Sequence, residues 1–255
     1  MTSSSQKHLI IDAHNHVAPE PVPSMGTTEV KVTAEELIQR MKIAGIDKAV
    51  IFGAGPVIKS NMNLQISEAQ KRYPDKFVAF ARVNPYDGQK AIDEVRDLVK
   101  NYGMKGLKLH PGFQSFKIDS VFTVKLLEGI ANLRIPVLFH TGEPPHLCHP
   151  AQAEPIADRF PDLRIILGHT GEMYFGMDCI RTAKRFDNLF LESSWCPKVT
   201  MELALKEIGA SRILMGTDTP YNDFRMELLK IDLIEMNEDE RAMIKGGNIA
   251  KLLNL

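Results

Sequence analysis

The chain is poor in the features that usually announce a protein's class. Its three cysteines, Cys148, Cys179 and Cys196, are odd in number and lack Cys-x-x-Cys spacing, which argues against a disulfide framework. The formal net charge of −1 removes the basic excess expected of a nucleic-acid or anionic-membrane binder. No apolar run approaches the length that crosses a bilayer. The polar segment from Met1 to His8 has none of the apolar stretch of a secretory signal, so the expected location is the cytoplasm. No linker or low-complexity tract interrupts the sequence. One domain over residues 1–255 is therefore the expectation. Hydrophobic content of 44% and charged content of 25% suit an ordinary globular protein with a substantial core.

What is present is a rhythm. Eight short apolar or β-branched runs read as strands: Leu9–His14, Lys48–Gly53, Phe77–Val83, Gly106–His110, Pro136–His140, Arg164–His169, Leu189–Ser193 and Ile213–Asp218. Helical spacing fills the intervals. The first helix opens on a Thr33/Glu36 capping box and stops at Gly45. Alternation of this kind points to a parallel sheet with crossover helices. An open doubly wound sheet would carry a glycine-rich turn after its first strand, and His14-Asn15-His16 stands there instead. The expected architecture is an α/β fold, a (β/α)8 TIM barrel with allowance for distortion. Residues 238–255 form a C-terminal helical extension against its outer wall or base.

The chemistry-bearing residues fall at the ends of these runs. Residues i and i+2 of a strand share a face, so His14 and His16 in Asp12-Ala13-His14-Asn15-His16 converge as two ligands of one ion would. His110, His140, His169 and Asp218 close later runs in the same way. Each has a plainer alternative: a strand-end histidine bonded to a loop carbonyl, an aspartate capping the next segment, or Lys108 snorkelling from the mouth. Their joint placement favours a catalytic divalent site with His14, His16, His140 and Asp218 as ligands. Zinc accepts such ligands, and manganese or iron would also tolerate them, so the donor types leave the metal open.

Asp12-Ala-His-Asn-His16, Gly106-Leu-Lys-Leu-His110-Pro, Pro136-Val-Leu-Phe-His140-Thr-Gly, Gly168-His-Thr-Gly171 and Met215-Gly-Thr-Asp218-Thr-Pro, in this order, resemble the amidohydrolase superfamily. More narrowly they are similar to its amidohydrolase-2 branch, as is Gly247-Asn248-Ile-Ala-Lys-Leu-Leu. That branch holds hydrolases and the metal-dependent decarboxylases similar to aminocarboxymuconate-semialdehyde decarboxylase. The resemblance implies a single ion, usually zinc, held by His14, His16, His140 and Asp218. It also implies catalytic roles for Asp218 and His169, and a position for Lys108 where binuclear members carry a carboxylated bridging lysine. Lys108 and His110 are also expected to bind substrate.

The favoured activity is hydrolysis of a small amide, ester or lactone by metal-activated water. The alternative is non-oxidative decarboxylation, with Arg82, Lys108 or His110 meeting an anionic substrate, although Arg82 ranks slightly higher as a structural arginine paired to a neighbouring loop. A non-catalytic metal-binding scaffold is a third reading. The expected partner is a small molecule, with no nucleic acid or membrane, and association of copies through outer helices stays open.

Some secondary expectations complete the picture. The proline-rich loop Val17–Val32 borders the site as a lid or an irregular connection. His146, Cys148 and His149 are solvated loop residues, Glu192 supports a ligand histidine, Asp12 anchors backbone, and Trp195 is ordinary packing.

Overall fold

The computed structural model describes residues 8–23 and 29–255. Among the described residues nine strands run β1 (Ile11–Pro23), β2 (Glu29–Val32), β3 (Lys48–Gly53), β4 (Phe77–Ala81), β5 (Gly106–Leu109), β6 (Val137–His140), β7 (Ile165–Gly168), β8 (Leu189–Glu192) and β9 (Ile213–Leu214). Their order in the sheet is β2-β1-β3-β4-β5-β6-β7-β8-β9, parallel throughout from β1 to β9. The ring closes between the segment after β9 and β1. Ala13 N donates to Met215 O at 2.9 Å, Asp218 N to His14 O at 2.9 Å and His16 N to Thr219 O at 2.8 Å. The buried Asp12 carboxylate reinforces this seam by accepting from Thr217 N, Thr217 Oγ1 and His14 N, which is the anchoring role expected of it. The architecture is a (β/α)8 barrel.

One departure concerns the proline-rich loop after the first strand. Val17–Pro23 continue β1 and pair antiparallel with β2, so most of the expected lid is a hairpin on the barrel's flank. None of its described residues lines the main pocket; residues 24–28 lie outside the described ones.

Period-two alternation decides what the barrel holds. Ala49 and Ile51, Phe77 and Ala79, Val137 and Phe139, and Ile165 and Leu167 join the large cluster under the helices. Their neighbours Val50, Phe52, Val78, Phe80, Leu138, Ile166 and Leu214 form a separate inner cluster. Ile249, Leu252 and Leu253 of the C-terminal helix Asn248–Leu253 cap it. Of the two expected places for the extension, the base is the one occupied. Each fully buried side chain of this size contributes about 1.5–3 kcal/mol. Continuing the inner columns upward by two residues gives Arg82, Lys108, His140 and Gly168 in place of apolar side chains. The floor is dry and the rim is polar.

Candidate metal centre

The rim of the barrel gathers the strand-end residues around a cavity of about 220 Å³. His14, His16, Lys108, His110, His140, His169, Glu172 and Asp218 line it with Phe113, Met173, Tyr174, Trp195 and Tyr221. The expected ligands, together with His169, Lys108 and His110, are thus brought to one pocket, whereas Arg82 does not line it. Ligand atoms of His14, His169 and Asp218 lie within 4.8 Å of one another. Asp218 Oδ1 is 3.2 Å from His14 Nε2 and 3.0 Å from His16 Nε2. His140 stands outside that triplet: its Nε2 donates to Glu143 O at 3.3 Å, and its ring stacks on His110 at 3.9 Å between centroids.

The partners of the rings decide where their hydrogens sit. Glu192 accepts from His169 N (3.0 Å), Ser194 N (2.7 Å) and Ser194 Oγ (2.9 Å), so it is an acceptor toward His14 Nδ1 as well, at 2.8 Å. Gly53 O can only accept from His16 Nδ1, at 3.2 Å. Ser194 Oγ, having spent its proton on Glu192, accepts from His169 Nδ1 at 2.8 Å. Three Nδ1 atoms carry hydrogen, and three Nε2 lone pairs are left bare.

Burial, the largest influence on each ring, holds His14, His16 and His169 below the usual 6.5, so the imidazoles stay neutral at pH 7. Burial also takes His140 down to about 3. Burial alone would raise the Asp218 carboxyl, but it is held below its ordinary value, and the Trp195 indole N–H is a donor on it. Bare nitrogens of His14 and His16 therefore face a carboxylate oxygen at hydrogen-bond distance with no proton between them. That arrangement is repulsive unless a cation sits among them, and the donor set fits a divalent ion. Lys108 Nζ, 3.4 Å from His14 Nε2, is brought by burial to about 7 and is a poor permanent counter-charge.

The backbone is strained where these groups are presented. His169, Thr170, Glu172, Trp195 and Asp218 are non-glycine residues at positive φ, each costing about 1–3 kcal/mol. Named bonds hold them there: Asp218 N to His14 O, His169 N to Glu192 Oε2, Thr170 Oγ1 to Glu192 O, Glu172 N to His169 O, and Trp195 N to Glu227 Oε1. Gly216 is required by close approach, since a Cβ there would collide with Glu192 Oε1 and lie 2.9 Å from His14 Cβ.

Arg82 takes the structural role ranked first for it, whereas Cys148 and Trp195 depart from expectation. Arg82 is fully buried behind His16. Its Nη1 donates to Gly53 O and Gly55 O at 2.9 Å, which makes it a brace for the carbonyl that orients His16. Cys148 is buried rather than solvated, with its thiol pushed up by burial to about 12. His149 caps the following turn through Ala151 N. Trp195 is no ordinary packing residue: its indole donates to Asp218 Oδ2 at 2.7 Å. A single tryptophan in a sequence carries no signal of such a role. Glu192 does support a ligand-type histidine, as expected.

A metal-ready barrel of this kind, with His-x-His on its first strand and aspartate after its last, is the hallmark of the amidohydrolases. Residues 11–255 match the amidohydrolase family model in its amidohydrolase-2 form, and the chain belongs to that family. Among curated proteins it is similar to gamma-resorcylate decarboxylase of Rhodococcus jostii strain RHA1, 24% identical over 253 residues, covering 78% of this chain and 77% of the relative. Among solved structures it resembles 2,6-dihydroxybenzoate decarboxylase complexed with 2,6-dihydroxybenzoate (TM-score 0.81, 17% identity, 97% and 99% of the two chains). It also resembles 5-carboxyvanillate decarboxylase from Novosphingobium aromaticivorans, complexed with manganese and 4-hydroxy-3-methoxy-5-nitrobenzoic acid (TM-score 0.77, 17% identity, 100% and 98%). No helix among the described residues is long and apolar enough to cross a membrane.

Proposed function

We propose that the chain is a metal-dependent decarboxylase of a small hydroxylated aromatic acid. The observation that carries this reading is the set of bare Nε2 lone pairs facing Asp218 at the bottom of a pocket walled by Phe113, Tyr174, Trp195 and Tyr221. An apolar cavity of about 150 Å³ admits benzene, so a cavity of about 220 Å³ suits one substituted ring. Hydrolysis, the activity first expected, gives way because the relatives named above are decarboxylases.

In this reading His14, His16 and Asp218 would hold a single ion, and His140, the fourth ligand expected from sequence, would join them on giving up its bond to Glu143 O. Manganese is the first to test, since the relatives' complexes contain it, ahead of the zinc expected from sequence. Such an ion supplies a Lewis acid for a substrate carboxylate and the oxygen beside it. Lys108 and His110 face the substrate's anionic side. Asp218 and His169 are the groups placed to take up a proton from solvent and pass it to the carbon bearing the carboxylate. The bond from that carbon to the carboxyl group then breaks, its electron pair restores the ring, and CO2 leaves. The aromatic wall keeps water from the protonated ring.

The test is to load metal-stripped protein with Mn(II) and screen hydroxybenzoates beside esters, amides and lactones. The expected result is CO2 released in equal amount to hydroxybenzoate consumed. Acid or amine products without CO2 would return the protein to the hydrolases. An ion count on His140→Ala and His169→Ala separates their roles: loss of a ligand empties the site, whereas loss of a proton carrier lowers turnover and leaves the ion.

A further inference from the structure

The loop after β8 is staked to the helix Phe224–Asp232 by a buried glutamate and a half-buried lysine that the proposed reaction does not use. Lys230 Nζ donates to Ser193 O at 2.6 Å and to Cys196 O at 2.9 Å, on either side of Trp195. Glu227, 4% exposed, pairs with Lys230 through Oε2. Its Oε1 accepts from Trp195 N at 3.2 Å and from Asn222 Nδ2 at 2.8 Å. Trp195 is thereby held at φ 59°, a conformation unfavourable for a bulky residue, with its ring on the pocket wall and its indole N–H on Asp218 Oδ2. The carboxylate is left with Oδ1 turned toward His14 and His16.

We propose that Trp195 is a positioning residue for the metal centre: its N–H fixes which oxygen of Asp218 faces the histidines, and the Glu227–Lys230 pair presents it. The proposal rests on Asp218 being a ligand. Removing a hydrogen-bond partner of a ligand costs about 10- to 100-fold in metal affinity. The same N–H draws electron density from the carboxylate, so it sets the ligand's basicity as well as its orientation.

The chain has a single tryptophan, which makes the indole a direct reporter. Metal-stripped protein is titrated with Mn(II), free ion is counted by its paramagnetic resonance, and indole emission is followed in the same samples. Wild-type emission is expected to fall in step with uptake. Trp195→Phe keeps an aromatic wall and loses the N–H; it should bind Mn(II) about 10- to 100-fold more weakly with an unchanged melting midpoint. Glu227→Ala should weaken uptake, and Trp195→Phe with Glu227→Ala should be no weaker than Trp195→Phe alone. Wild-type affinity in Trp195→Phe overturns the proposal and leaves the metal site standing, whereas a wild-type protein that takes up no Mn(II) removes both. If Trp195→Phe does not fold, the single indole N–H resonance decides. It should move when Asp218→Asn replaces the carboxylate, and a resonance that stays in place refutes the contact.

Discussion

Replacing Glu192 by glutamine keeps its shape and changes one oxygen into an NH2 group. The carboxylate accepts four hydrogens, three at Oε2 from His14, His169 and Ser194 Oγ, and one at Oε1 from Ser194 N. The amide nitrogen is least harmful at the Oε1 position, where it faces the Ser194 N–H donor to donor. One charge-assisted bond worth about 1.5–3 kcal/mol is lost, and a buried N–H is stranded at about 1–3 kcal/mol. Partial relaxation leaves an expected destabilisation of about 3–5 kcal/mol, which a domain stable by about 5–15 kcal/mol survives. The carbonyl oxygen remaining at Oε2 still takes the His14 Nδ1 hydrogen, so the tautomer holds and Mn(II) affinity falls by no more than about tenfold. Urea unfolding of metal-free protein measures the first effect, and competition with a chelator the second. A change in stability below about 1 kcal/mol would show that Glu192 is not the shared acceptor described here.

Asp218→Asn should remain folded and lose turnover by about a thousandfold or more, measured as CO2 release from Mn(II)-loaded protein. Gly216→Ala forces a Cβ against Glu192 and His14 and should cost about 2 kcal/mol or more by urea unfolding, together with the metal. Burial raises the Glu227 carboxyl from 4.5 to about 7, the Lys230 ammonium opposing it in part. The folded state thus binds this proton more tightly than the unfolded one. Its contribution is complete below about pH 4.5 and disappears as pH rises through about 7, an upper bound of about 3 kcal/mol. Glu227→Gln should flatten the stability curve over that window, and an unchanged slope would count against it. Removing bound metal with a chelator should lower the melting midpoint, and Mn(II) should restore it.

Much of the barrel was legible because its signals are local and repeat. Val137–His140 ends on a polar residue two positions beyond Leu138, and alternation alone puts both on the inner face. The same arithmetic brings Lys108 and Asp218 to the pocket. Legibility failed where a side chain's role depends on a partner distant in sequence. Nothing near Trp195 reveals that Asp218 receives its N–H or that Glu227 holds its backbone. Arg82 was legible as a structural arginine, but which carbonyls it braces, those of Gly53 and Gly55, was not. The hairpin was hidden by its prolines, which suit an edge pairing as well as a loop. His140 reached the pocket as expected, although its Nε2 is engaged with the carbonyl of Glu143 in a way spacing cannot show.

The cork of the barrel has a consequence for how the molecule is born. Ile11 of the first barrel strand is made well before Leu253 of the capping helix, yet the two share a hydrophobic layer. Met215 N, next to the seam, bonds to Ile244 O, so the finishing turn is also stitched to the closing strand. Nascent chains can pair neighbouring βα units as they emerge, but the cylinder's floor has to wait for synthesis to reach the final helix. Until then its inner apolar face is open to water, and chaperones that recognise such surfaces have their longest opportunity to act.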